Sequence, residues 1–155
     1  MKVVSNTSPI IFLSKLRKLE LLSECFGEVA IPQAVGHELG NGISLPGINV
    51  LPVSTGGQQF VEGALGRLHR GELEAMILAR ETRADYVLLD DLLARRKAQR
   101  LGLQTMGTIG IIILAHRQGR VTGEAAMAWL DELIHRHGLY LSDEILNQVK
   151  AALAK

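Results

Sequence analysis

Residues 71–103 read GELEAMILARETRADYVLLDDLLARRKAQRLGL. The stretch predicts a helix, a turn, a strand and a second helix. Glu72 and Glu74 open the first helix; Asp90 and Asp91 end the strand and open the next. The strand core, Tyr86 to Leu89, is apolar without alternation. Both its faces must then be covered, which is the habit of a parallel strand inside an α/β sheet. In such sheets ligands collect outside the carboxyl ends of the strands, where Asp90 and Asp91 fall.

Working outward, the same alternation repeats. Lys2 to Ser5 is a short β-branched strand, followed by Asn6-Thr7-Ser8-Pro9. Ser8 can cap a helix with Pro9 in its first position, running to Leu16. A helix from Leu19 to Phe26, a strand from Glu28 to Ile31 and a helix from Pro32 to Leu39 follow. Gly40 and the Asn41-Gly42 turn end the last of these. Ile48 to Val53 is a third strand, and Pro52 places it at a sheet edge. Ser54 to Gln59 reads as a loop and Phe60 to Arg67 as a weak helix. After the central stretch come a strand at Leu103 to Met106 and helices over Gly107–Gln118, Glu124–His137 and Ser142–Ala154. Alternating strands and helices predict a three-layer α/β fold with right-handed crossovers, formed by residues 1–155 as one domain.

Composition narrows the function classes. Of 155 residues, 47% are hydrophobic and 21% charged, with a net charge of +1. No global field announces a nucleic-acid partner, so any such contact must come from local patches. Aromatics at 4% are too few for base-stacking platforms. Cys25 stands alone, which rules out an internal disulfide and fits a reducing compartment. The N-terminus has no signal-peptide pattern. The longest apolar run, Ile109 to Ala115, falls far short of the ~20 residues that cross a bilayer. The expectation is a soluble cytoplasmic protein with no membrane partner. The five histidines show no zinc spacing, and no glycine-rich phosphate loop precedes a helix.

Side chains with chemistry gather at the strand ends. Asn6, Thr7 and Ser8 follow the first strand, and His37 and Glu38 lie on the helix after the second. Glu72 and Glu74 begin the helix before the fourth strand, which Asp90 and Asp91 follow. Converging carboxylates are costly unless a cation joins them or a proton is shared. All-oxygen ligands suit Mg²⁺ and Mn²⁺, and such a site suits hydrolysis of phosphate esters.

The segments VVSNTSPIIFLSKL (3–16), GEVAIPQAVGHEL (27–39), GELEAMILA (71–79), DYVLLDDLLARRKAQRLGL (85–103) and TMGTIGIIILA (105–115) resemble, in order and spacing, the PIN-domain family. The similarity is to the branch of VapC-type toxin ribonucleases from toxin–antitoxin systems. It implies a five-stranded parallel sheet of order 3-2-1-4-5 and a Mg²⁺- or Mn²⁺-dependent ribonuclease. The family's acidic quartet falls on Asn6, Glu38, Glu74 (with Glu72 second) and Asp91 or Asp90. Its hydroxyl position falls on Thr7 or Ser8, with Thr108 near another. The resemblance also implies RNA as substrate, a protein antitoxin and a homodimer. Residues two apart on a helix face different ways, so Glu72 and Glu74 cannot both enter the site from a regular helix. Glu74 is the favoured ligand. Asp90 and Asp91 diverge likewise: one ligates, and the other caps the helix or binds through water. Asn6 departs from the family's Asp; an amide oxygen can ligate but carries no charge and is no base.

Each of these residues also has a structural use. Glu72 and Glu74 complement a helix dipole, Asp90 can cap a helix, Asn6 can bond its own turn and Glu38 can be a surface residue. Arg95, Arg96, Lys97 and Arg100 could seat RNA phosphates or form a solvated helix face. The sequence therefore supports a metal-dependent endoribonuclease first. Its alternative is a PIN-like RNA- or protein-binding module in which Asn6 has weakened the site. A nuclease acting on DNA is a third reading.

Overall fold

A computed structural model describes residues 1–155. The strands are β1 (Lys2–Ser5), β2 (Glu28–Pro32), β3 (Ile48–Leu51), β4 (Tyr86–Leu88) and β5 (Thr105–Met106). The helices are α1 (Thr7–Lys15), α2 (Leu21–Phe26), α3 (Gln33–Leu39), α4 (Thr55–Ala64), α5 (Arg70–Glu81), α6 (Leu92–Arg100), α7 (Thr108–Arg117), α8 (Gly123–Arg136) and α9 (Asp143–Leu153). All strand pairs are parallel and the order is β3-β2-β1-β4-β5, as expected. No helix is long and apolar enough to cross a membrane.

The sheet is covered on both faces, and its pleat sorts the core. Val3, Val29, Ile31 and Leu88 join one apolar cluster, with Ile10 and Leu13 of α1, Leu22 of α2, Ile111 and Ile112 of α7 and Leu130 of α8. Val4, Ala30, Val87 and Leu89 join the other, with Val61 of α4, Met76 of α5 and Ala94 of α6. Consecutive strand residues thus enter opposite layers, which explains a strand sequence with no polar side. Helix α5 is buried at every position from Gly71 to Ala79. Strand β3 lies at the edge and stops at Leu51, ahead of Pro52.

Several boundaries differ from the sequence reading. The expected loop at Ser54 to Gln59 is mostly helix: α4 starts at Thr55 and ends at Ala64 rather than spanning Phe60 to Arg67. Ser54 Oγ caps it by accepting from Gly57 N–H at 3.0 Å, and Glu81 accepts the Ser54 N–H at 2.9 Å. Gly57 belongs there because a Cβ would stand 2.5 Å from Val53 Cγ1 and 2.7 Å from both Glu81 Oε2 and Ile77 Cγ2. Helix α1 begins two residues early, so Asn6 rather than Ser8 holds the N-cap position and Pro9 falls third. A proline there still removes only an N–H that has no partner within the helix. Helix α2 begins at Leu21 rather than Leu19, and β5 keeps only Thr105 and Met106.

Two glycines of α4 should respond oppositely to alanine. Gly57→Ala is expected to lower stability by about 1–3 kcal/mol through overpacking. Gly63, with nothing within 4 Å of its Cβ direction, should gain about 0.4–1 kcal/mol as alanine. Urea denaturation of the two variants checks both signs.

Candidate functional site

The order of the sheet reverses between β1 and β4, and the chains leaving their carboxyl ends form the crevice that α/β sheets use for ligands. Asn6 leaves β1 with its N–H bonded to Leu88 O at 3.0 Å. It occupies the N-cap of α1, yet its side chain makes no cap bond. The amide, in a residue only 7% exposed, is left for the crevice.

Glu38 arrives from α3. Thr7 Oγ1 donates to Glu38 Oε2 at 2.6 Å, fixing one carboxylate oxygen from the first turn of α1. The start of α5 packs against the same group. A Cβ on Gly71 would overlap Glu38 Oε1 and lie 3.4 Å from Asn6 Oδ1. Gly71 thus lies in close approach to Glu38, and a side chain there would displace the Glu38 carboxylate. It is the one site feature that the sequence reading passed over although it was visible, as a glycine directly before Glu72 at a helix start.

Glu72 and Glu74 part company as their spacing demands, but the favoured member changes. Glu72 is 8% exposed and its Oε1 accepts the His69 N–H at 2.9 Å. Burial pushes its carboxyl above the ordinary glutamate range, while the His69 N–H opposes this and the charges of Asp91 and Glu38 add to the rise. Glu74 faces elsewhere. Its Oε1 accepts Ala34 N–H at 3.1 Å, and its Oε2 accepts from Gln58 Nε2 at 3.4 Å and stands 3.7 Å from Arg70 Nη1. Glu72, not Glu74, is the one that feels the charges of Glu38 and Asp91.

The aspartates divide in the same manner. Asp91 Oδ2 caps α6 by accepting Ala94 N–H at 2.8 Å, and the residue is exposed. Asp90 turns inward: it accepts Thr108 N–H at 2.7 Å and Thr108 Oγ1 at 2.8 Å. Burial raises its carboxyl, with the two Thr108 bonds and the Arg95 charge pulling the other way. Thr108 is wholly buried, so as placed it offers no surface to a nucleic acid. Arg95 is half-buried beside Asp90, Ser8 is half-buried on α1, and Arg96 is exposed on α6.

Asn6, Thr7, Glu38, Glu72 and Asp91 are therefore brought together, while Glu74, Asp90 and Thr108 join the surrounding framework. None of Glu38, Glu72 and Asp91 forms a salt bridge; the ion pairs of the chain are Arg70–Glu62, Arg70–Glu74 and His137–Glu132. No three acidic, histidine or cysteine side chains stand close enough to ligate one ion together. Charge and donor type fit a hard cation: every donor is oxygen, and the negative charge has no cation of its own from Arg or Lys. The family model that matches the sequence describes a PIN domain and takes in residues 2–155. No curated protein matches it.

A raised folded-state carboxyl contributes stability at low pH that is lost as pH climbs through the raised value. Glu72→Gln keeps an acceptor for His69 N–H but removes this loss. In EDTA, the melting temperature of Glu72→Gln minus that of wild type should grow as pH rises from about 4 to about 7. A gap constant with pH would show that Glu72 titrates normally.

Proposed function

The chain belongs to the PIN-domain family, and from that premise we propose that it is a divalent-metal-dependent endoribonuclease. The observation that carries the reading is a buried Glu72 at the start of α5 that feels the charges of Glu38 on α3 and Asp91 at the β4–α6 junction, with no salt bridge to any of the three. One or two of Glu38, Glu72 and Asp91 would hold the ion directly and the rest through water, with Asn6 Oδ1 as a neutral oxygen. Mg²⁺ or Mn²⁺ supplies Lewis acidity there, acidifying a water and offsetting charge on the phosphate.

The chain's own groups do the positioning. Thr7 holds Glu38 by one oxygen and leaves the other facing Gly71. The His69 N–H holds Glu72. Asp91 spends one oxygen on α6 and keeps the other for the crevice. Arg96 and Arg100, exposed and four apart on α6, seat flanking phosphates, which adds affinity without reading sequence. Water attacks phosphorus in line, and the P–O3′ bond breaks. The leaving oxygen gains a proton, giving a 5′-phosphate and a 3′-hydroxyl. The biological role in this reading is the cytoplasmic toxin of a toxin–antitoxin pair, a homodimer restrained by a protein antitoxin.

One observation favours a second reading. Asn6 stands where the family carries an acid, so the site lacks one charge, and the protein then binds RNA or a partner without turnover.

Cleavage of end-labelled single-stranded RNA in Mn²⁺, Mg²⁺ or EDTA separates the two. The nuclease reading expects metal-dependent cleavage that falls on the order of a hundredfold in Glu72→Gln and in Asp91→Asn. Asn6→Asp should tighten Mn²⁺ binding by about tenfold. Wild type that is silent in every metal, with activity gained only in Asn6→Asp, is the result expected of the binding module. A single-stranded DNA arm tests whether the 2′-hydroxyl matters.

A further inference from the structure

Helix α3 delivers Glu38, yet it has no cap of its own. Its N-cap residue is Pro32, which has no side-chain acceptor and makes no cap bond. The first-turn N–H groups of a helix have no partner within it. One of them, on Ala34, is met from another helix 40 residues away: Glu74 Oε1 accepts it at 3.1 Å. Glu74 is only 4% exposed. Its second oxygen faces Gln58 Nε2 at 3.4 Å and Arg70 Nη1 at 3.7 Å. Arg70 also pairs with Glu62 on α4. Both oxygens of Glu74 are therefore engaged by donors, and its charge is balanced by Arg70 and by the positive end of α3. Glu38, Glu72 and Asp91 have no such balance. Ala34 and Glu38 are four residues apart, one turn along the same face of α3.

We infer that Glu74 is a positioning residue: it caps α3 in trans and acts on the metal site only through Glu38, rather than ligating the ion. The helix is then held at both ends. Glu74 sets its start against α5, and Thr7 fixes the side chain of Glu38 near its end. The functional consequence rests on the metal-site reading above; the cap itself does not.

Amide exchange at Ala34, followed by NMR, and Mn²⁺ affinity, followed by EPR, test it with three variants. Glu74→Gln keeps a carbonyl acceptor but no charge, so Ala34 protection and Mn²⁺ affinity should stay close to wild type. Glu74→Ala should speed exchange at Ala34 about five- to thirtyfold, the range of a lost cap, and weaken Mn²⁺ binding. Adding Pro32→Ser to Glu74→Ala supplies a hydroxyl at the cap position and should restore part of both. Glu72→Gln is the reference for a lost ligand. If Glu74→Gln weakens Mn²⁺ as much as Glu72→Gln does, Glu74 is a ligand and the inference is overturned. Unchanged exchange at Ala34 in Glu74→Ala overturns it too. If wild type binds no Mn²⁺, the metal-site reading fails while exchange at Ala34 still decides the cap. Should Glu74→Ala not fold, the comparison of Glu74→Gln with Glu72→Gln stands by itself.

Discussion

A helix buried on every side cannot begin with two glutamates unless each finds a way to keep or lose its charge. That constraint on α5 shapes the crevice around it. An isolated buried carboxylate is too costly to persist, and Glu72 and Glu74 answer the cost differently. Glu74 has donors on both oxygens and a guanidinium close by. Glu72 has one backbone N–H and two negative neighbours, and its carboxyl is held toward the neutral form. The first is a settled structural group. The second is unfinished electrostatically, which is the condition expected of a functional side chain. Gly71 leaves the Glu38 carboxylate room against the start of α5.

The far side of the crevice depends on a parallel division of labour. Asp90 ties the end of β4 to the start of α7 through both the N–H and the hydroxyl of Thr108. The room is set by Gly107, whose Cβ would lie 3.0 Å from Asp90 Oδ1 and 3.1 Å from Arg95 Nη1. With β4 anchored in this way, Asp91 is presented at the head of α6 with one oxygen committed and one free. On both sides, the more buried carboxylate of a close pair holds the framework. The other has fewer partners of its own.

Much of this was legible in the sequence. Tyr86 to Leu89, with no polar alternation, read correctly as a strand covered on both faces, and Pro52 marked the sheet edge. The convergence of acidic residues at strand ends followed from the α/β pattern alone. What stayed hidden was direction. Spacing showed that Glu72 and Glu74 must diverge but not which faced the crevice, because the answer lies in Ala34 and Gln58, distant in sequence. Thr108 read as a hydroxyl near the site because nothing local shows that it would be buried and bonded to Asp90. The start of α4 was missed since Gly56-Gly57 argues for a loop by propensity. The tertiary fit of Gly57 against Val53 and Ile77, with Glu81 bracing Ser54, overrides that preference.

The first strand of the chain is also the middle strand of the sheet. Val3 pairs with Val29 on one side and with Tyr86 on the other. Lys2 and Asp85 secure that second edge, with Asp85 N–H donating to Lys2 O at 2.7 Å. During synthesis at about 5–20 residues per second, β1 must wait about 4–17 s for β4 to be made. Contacts so distant in sequence also close slowly once both strands exist. Until then, Val3 and Val4 of β1 present an open backbone edge, where the nascent chain is most exposed to wrong pairing. Asn6 and Asp91 lie just beyond the ends of the two strands whose pairing spans the longest stretch of chain. The crevice as a whole therefore cannot be complete before the centre of the sheet has closed.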